Sequence, residues 1–210
     1  MTTTVRISEP GGTFCSGVLI APDLNAYPKA RTRLVLSCAH FLRKHPCPFE
    51  VQAPGMPKNQ LIDVRCQKFG DLAVGLLATP APPRKLMALS SRRGQLWRTR
   101  TCTSGYGGGE TQELKHRFGR ILWPIPWAFA RDFSTHVRGG ATLWNNPKVV
   151  RGDSGGPVCQ GEEIIGVQSL IMDPLGVDLG LATTSQVAPF KQWMHHAIKE
   201  LYLANEVQDS

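Results

Sequence analysis

Three residue types, far apart along the chain, could together perform acyl-transfer chemistry. Gly152-Asp153-Ser154-Gly155-Gly156-Pro157 sets a serine among glycines. Without a Cβ at Gly155 and Gly156 the backbone can turn tightly and aim amide N–H groups at a developing oxyanion. A serine hydroxyl is inert at neutral pH until a base takes its proton, so the motif calls for a histidine and a carboxylate elsewhere. His40 closes the apolar run Leu34-Val35-Leu36-Ser37-Cys38-Ala39, as a rigid strand would present an imidazole at a cleft. His45, His116, His136, His195 and His196 have no such setting. Asp71 heads a second apolar run, Leu72-Ala73-Val74-Gly75-Leu76-Leu77. Asp63 competes with it, but the alternation of Leu61-Ile62-Asp63-Val64 suits an ordinary solvent-facing carboxylate, which favours Asp71.

These groups need a scaffold, and the composition describes one. A chain of 210 residues, 41% of them hydrophobic, can form two small lobes, each with its own core. Its 21 glycines and 16 prolines punctuate many short strand-like runs, the pattern of an all-β fold. Thr79-Pro80-Ala81-Pro82-Pro83-Arg84-Lys85 lacks several backbone donors and reads as a crossover between lobes. Near the C-terminus Phe190, Trp193, Met194, Ala197, Ile198 and Leu201 repeat with the period of an amphipathic helix. No apolar stretch approaches the length that spans a membrane. Met1-Thr2-Thr3-Thr4-Val5-Arg6 opens no signal-like apolar segment, so a cytoplasmic setting is expected if this is the natural start.

The order His40, Asp71, Ser154, with those flanking sequences, resembles the trypsin/chymotrypsin-like serine proteases. Phe14-Cys15-Ser16-Gly17-Val18-Leu19-Ile20 looks like that family's early strand, and Ser104-Gly105-Tyr106-Gly107 like its Ser-Gly-Trp-Gly turn, so the likeness spans most of the chain. The resemblance implies two packed antiparallel six-stranded β-barrels with a C-terminal α-helix resting on the second. The first barrel would occupy residues 1–78 and carry His40 and Asp71. Residues 79–93 would cross between lobes, residues 94–186 would form the barrel carrying Ser154, and 187–204 the helix. It further implies a serine endopeptidase that works without metal or cofactor. Ser154 would be the nucleophile, His40 the general base, Asp71 its orienting carboxylate, and Gly152 and Ser154 the oxyanion donors. Lys148, Val149, Ser169, Leu170 and Ile171 would line the substrate cleft. The 31 residues from His40 to Asp71 suggest a compact member of bacterial or viral type.

Departures from the family pattern carry expectations of their own. The chain has no Ile-Val-Gly-Gly start, so Asp153 lacks the N-terminal ammonium that pairs with it in processed members. Arg138, Arg151 and Lys148 are the candidate partners, and activity without N-terminal processing is expected. Lys148, six residues before Ser154, stands where an Asp would select basic side chains. Either it forms a cationic pocket floor that takes acidic residues, or it reaches solvent or pairs with Asp153 or Asp178. Ile171 should narrow the pocket mouth, which favours small over aromatic side chains. Phe41 follows His40, so Cys15 loses the family's usual disulfide partner. Cys102 and Cys159 are each displaced by one residue from a usual pair, in opposite senses, which keeps them opposite each other. No partner can be argued for Cys38, Cys47 or Cys66, and thiols in a reducing compartment are expected.

The net charge of +8 comes from 24 Lys and Arg against 16 Asp and Glu. Arg92, Arg93, Arg98 and Arg100 crowd one segment around Trp97, where a solvated face is the ordinary expectation and no nucleic-acid motif accompanies it. The expected partners are therefore protein substrates and a possible regulatory protein, with neither membrane nor nucleic acid among them. A catalytically inactive module of the same fold and a basic nucleic-acid-binding protein are the competing readings.

Overall fold

The apolar run before His40 is continuous because its strand is buried on both sides. In the computed structural model, which describes residues 2–97, 99–108, 113–130, 135–172 and 179–206, this run ends strand β3 (Tyr27–Ser37). Val35 points into the first barrel with Val5, Ile7, Leu19, Phe49 and Leu61. Leu34 and Leu36 point outward into a second cluster, with Val18, Ile20, Val74 and Leu76. Two-residue alternation with both faces buried removes the polar half of the usual strand pattern.

The first barrel contains β1 (Thr4–Ser8), β2 (Phe14–Ile20), β3, β4 (Phe49–Gln52), β5 (Asn59–Cys66) and β6 (Ala73–Leu86). They close in the order β1-β2-β3-β6-β5-β4. The proline-rich segment is part of β6 rather than a crossover, so this barrel reaches Leu86 instead of ending at Ala78. Pairing of β6 with β5 stops at Leu77, while Ala81 and Arg84 still pair with Thr32 and Ala30 of β3. Pro80, Pro82 and Pro83 thus fall where one side of the strand has become an edge, and a missing N–H costs little there.

The second barrel is built from β8 (Arg100–Gly105), β9 (Lys115–Phe129), β10 (His136–Asn146), β11 (Pro157–Gln160), β12 (Glu163–Met172) and β13 (Leu181–Gln186). The β11–β12 pairing closes it, and β7 (Ala88–Leu89) adds parallel to β12. Ile121, Ala141, Leu143, Val158 and Ile165 fill its interior. Cys102 and Cys159 are register partners, as the sequence suggested, and all six cysteines are thiols.

Helix α2 (Lys191–Glu206) follows a single 3-10 turn, Ala188–Phe190. The expectation that it rests on the second barrel needs correction. Met194, Ile198 and Leu201 join the cluster that holds Leu34, Leu72, Val74 and Leu76 of the first barrel together with Ile164 and Val167 of the second. The helix therefore covers the seam between the lobes. No helix among the described residues is long and apolar enough to cross a membrane.

Candidate active site

The end of β3 and the β5–β6 turn bring His40 and Asp71 together. Helix α1 (Ala39–Leu42) is one turn that starts where β3 stops, so His40 leaves a rigid strand at a fixed angle. Asp71 is fully buried and accepts the His40 backbone N–H at 2.7 Å through Oδ1. Its Oδ2 meets His40 Nδ1 at 2.8 Å. Asp63 lies elsewhere on β5, half-buried and paired with Arg65 rather than simply facing solvent. Burial pushes the Asp71 carboxyl up, but the neighbouring His40 charge and hydrogen bonds from His40 and Ser169 outweigh it and hold the group below its usual range. Burial pulls His40 down, whereas Cys38 and Asp71 beside it raise it, and the net direction is upward. Burial keeps the Cys38 thiol protonated, so Asp71 supplies the charge that matters at neutral pH. Cys38 Sγ lies 3.9 Å from His40 Nε2 and interacts with the Cys15 thiol, so these two cysteines are neighbours although neither had an evident partner in the sequence.

Ser154 sits at the barrel interface on the loop between β10 and β11. Its Oγ donates to the Ser169 carbonyl at 3.2 Å, and Ser169 Oγ in turn donates to Asp71 Oδ2. Ser169 thus contacts both Ser154 and Asp71, a link that its sequence assignment to the cleft wall had missed. Among the described residues Ser154 and His40 share no hydrogen bond. Such contacts are often long in unliganded enzymes and tighten when substrate arrives.

The first barrel holds the Ser154 loop in shape. Ser16 N donates to the Ser154 carbonyl at 2.8 Å, and Ser16 Oγ donates to the Gly152 carbonyl at 2.7 Å. A Cβ at Gly152 (φ +95°) would meet the Phe14 ring at 2.5 Å, and one at Gly155 (φ +80°) would meet Ser16 O at 2.2 Å. Both positions need glycine for conformation and for space. Asp153, Gly155 and Gly156 donate their N–H groups to Val150, Gln168 and Asp153 carbonyls. The N–H groups of Gly152 and Ser154 have no such partner among the described residues. Two unpaired amides flanking a serine are what an oxyanion hole requires.

Asp153 is fully buried and its partner is Arg117 of β9, not Arg138, Arg151 or Lys148. Arg117 Nε donates to Asp153 Oδ2, and its Nη2 donates to the Gly107 carbonyl at 3.1 Å. Gly107 N and Val150 N complete the carboxylate shell at 2.9 Å each. Arg138 instead lies over the Trp127 ring, 5.1 Å from its centroid.

The residues expected at the cleft wall differ in burial. Val149 and Ser169 are buried, Leu170 is half-buried and Ile171 is exposed. Lys148 is exposed, so the alternative of a buried cationic floor is not the one adopted. Asp178, a possible partner for it, lies outside the described residues.

Two six-stranded barrels with a serine loop at their interface and a C-terminal helix over the seam define the trypsin-like serine protease fold. The solved structures similar to this chain have that fold. The Rv3671c protease of M. tuberculosis in its active form matches at 17% identity and a TM-score of 0.69, over 93% of this chain and 79% of that one. A serine endoprotease from Yersinia pestis matches at 16% and 0.66, over 94% and 63%. Kallikrein-related peptidase 10 matches at 19% and 0.68, over 94% and 96%. No protein-family model and no curated sequence matches the chain.

Proposed function

We propose that the chain is a serine endopeptidase acting on protein substrates through Ser154, His40 and Asp71. The observation that carries this reading is the run of contacts His40–Asp71–Ser169–Ser154 beside the two unpaired N–H groups of Gly152 and Ser154. Ser154 Oγ leaves the Ser169 carbonyl and attacks the scissile carbonyl carbon while His40 Nε2 takes its proton. The C–N bond breaks as His40 returns that proton to the leaving amine, and water repeats the sequence to release the acid. Asp71 fixes the Nδ1–H tautomer and stabilises the imidazolium, and the amides of Gly152 and Ser154 stabilise the oxyanion. With no buried cation at Lys148 to call for an acidic partner, the branched Ile171 favours small side chains before the scissile bond.

The same reading includes activity without N-terminal processing. The cation that pairs with Asp153 is Arg117, a residue inside the second barrel, so no newly exposed ammonium is needed to order the Ser154 loop. A fluorophosphonate probe should label Ser154 in the intact chain, with its N-terminus verified by mass spectrometry, and His40→Ala should abolish the labelling. Failure of the folded protein to label or to cleave a peptide library would overturn the peptidase assignment. Labelling only after N-terminal trimming would overturn the second part alone.

A further inference from the structure

The outer face of β8, β9 and β10 carries a set of side chains that the peptidase chemistry does not use. Register places Arg100 directly opposite Arg120, and Arg120 opposite Trp144. In the next row of that face Phe118 lies between Cys102 and Asn146. Every charged side chain on these two rows is an arginine. Like charges directly opposite on neighbouring strands destabilise a sheet, so an arginine pair without a carboxylate between its members is poised for an external anion.

Exposed aromatic rings accompany the arginines. Phe118 is 54% exposed, Trp144 44% and Trp97 55%, well above what burial-driven packing leaves for such rings. Trp97 is held at φ +56°, a region that bulky residues rarely adopt. Arg120 Nη1 donates to its carbonyl at 2.9 Å, which ties this strained, outward-facing tryptophan to the arginine pair. Backbone strain kept to display a ring is the kind of feature that concentrates at binding sites. Between Arg100, Phe118, Arg120, Trp144 and Asn146 runs a shallow groove of about 290 Å³.

We propose that this face is a platform for single-stranded nucleic acid, with bases stacked on Trp97, Phe118 and Trp144 and phosphates held by Arg100 and Arg120. Aromatic rings interleaved with arginines on an open sheet are the chemistry that grips unpaired strands without reading sequence. A duplex offers no free base faces to the rings. A second copy of this chain, docked about a two-fold axis, would set the arginines against themselves. An acidic peptide would satisfy the arginines but would leave three exposed rings without a role. The sequence drew attention to arginines 92, 93, 98 and 100 alone. In the fold Arg92 and Arg93 line other cavities, and Arg120, Phe118 and Trp144 arrive from other strands. This inference stands apart from the peptidase reading.

The test is fluorescence anisotropy of a fluorescein-labelled 12-nucleotide oligothymidylate at 50 mM and 200 mM salt. Binding is expected at the lower salt, and Trp144→Ala or Phe118→Ala should each weaken it at least about fivefold. The pair Arg100→Gln with Arg120→Gln should reduce the slope of log affinity against log salt by about 1.4, near 0.7 for each lost phosphate contact. An abasic deoxyribose-phosphate strand of equal length should bind at least about tenfold more weakly. Unchanged thermal unfolding of these surface variants separates lost binding from lost fold. No binding at 50 mM salt, equal binding of the abasic strand, or indifference to the aromatic substitutions would each overturn the proposal. So would a concentration-dependent dimer that Trp144→Ala dissolves and the oligonucleotide does not disturb.

Discussion

Replacing Arg117 by methionine tests how the Ser154 loop is held. The substitution keeps much of the side-chain bulk and removes the charge that faces Asp153, a carboxylate with no solvent exposure. Removing one partner of a buried ion pair costs about 3–5 kcal/mol, because the remaining charge is left uncompensated. Gly107 N and Val150 N still donate to Asp153 at 2.9 Å, which places the expected loss near the lower end, about 3 kcal/mol. For a domain of this size that corresponds to a melting temperature lower by roughly 6–12 °C, with the fold retained. Catalysis should suffer more than stability. Asp153 lies between the two amides assigned to the oxyanion hole, and losing one such donor lowers turnover about 10²- to 10³-fold. Arg117→Lys should restore part of both effects, since it returns a charge but not the second hydrogen bond to the Gly107 carbonyl. Calorimetry and the rate of fluorophosphonate labelling at Ser154 are the assays. A methionine variant that melts within about 2 °C of the parent and labels at the parental rate would refute the idea that Arg117 replaces an N-terminal cation.

Two further perturbations probe the same site. The labelling rate should rise with pH through a midpoint above the ordinary imidazole value of about 6.5, because His40 is held protonated beside Asp71 and must lose that proton to act as a base. In the stability profile, the raised His40 contributes fully below about pH 6.5 and its contribution fades as pH rises through its folded value. The depressed Asp71 contributes above about pH 3.9, and that part is lost as pH falls through its folded value. Urea midpoints across pH measure both, and a labelling midpoint at or below 6.5 would contradict the assignment. Gly155→Ala should destabilise the chain by more than about 1 kcal/mol and slow labelling, since the new Cβ would fall 2.2 Å from Ser16 O at a φ of +80°. A variant as stable as the parent would show that the Ser154 loop is not pinned against β2.

Residues whose neighbours explain them were legible in the chain. Ser154 sits in a glycine motif, His40 at the end of an apolar run and Asp71 at the head of another, so strand periodicity and turn chemistry were enough to single them out. The all-β class and the amphipathic helix were readable for the same reason. Contacts between distant segments were not. Arg117 and Asp153 are 36 residues apart, and no local pattern distinguishes that arginine from Arg138 or Arg151. Ser169 reaches Asp71 across 98 residues, and Ser16 reaches the Gly152 carbonyl across 136. The prolines of β6 read as a linker because propensity is blind to whether a strand edge needs its N–H groups. Closure of the barrels settled that question, leaving β6 paired with β3 alone beyond Leu77. The sequence by itself determined the candidate groups and the strand-rich class, since both are written in local spacing. Only the tertiary structure decided what holds the Ser154 loop, where the helix packs, and which arginines and rings share a face. Those depend on register and packing between barrels, where residues far apart in the chain become neighbours.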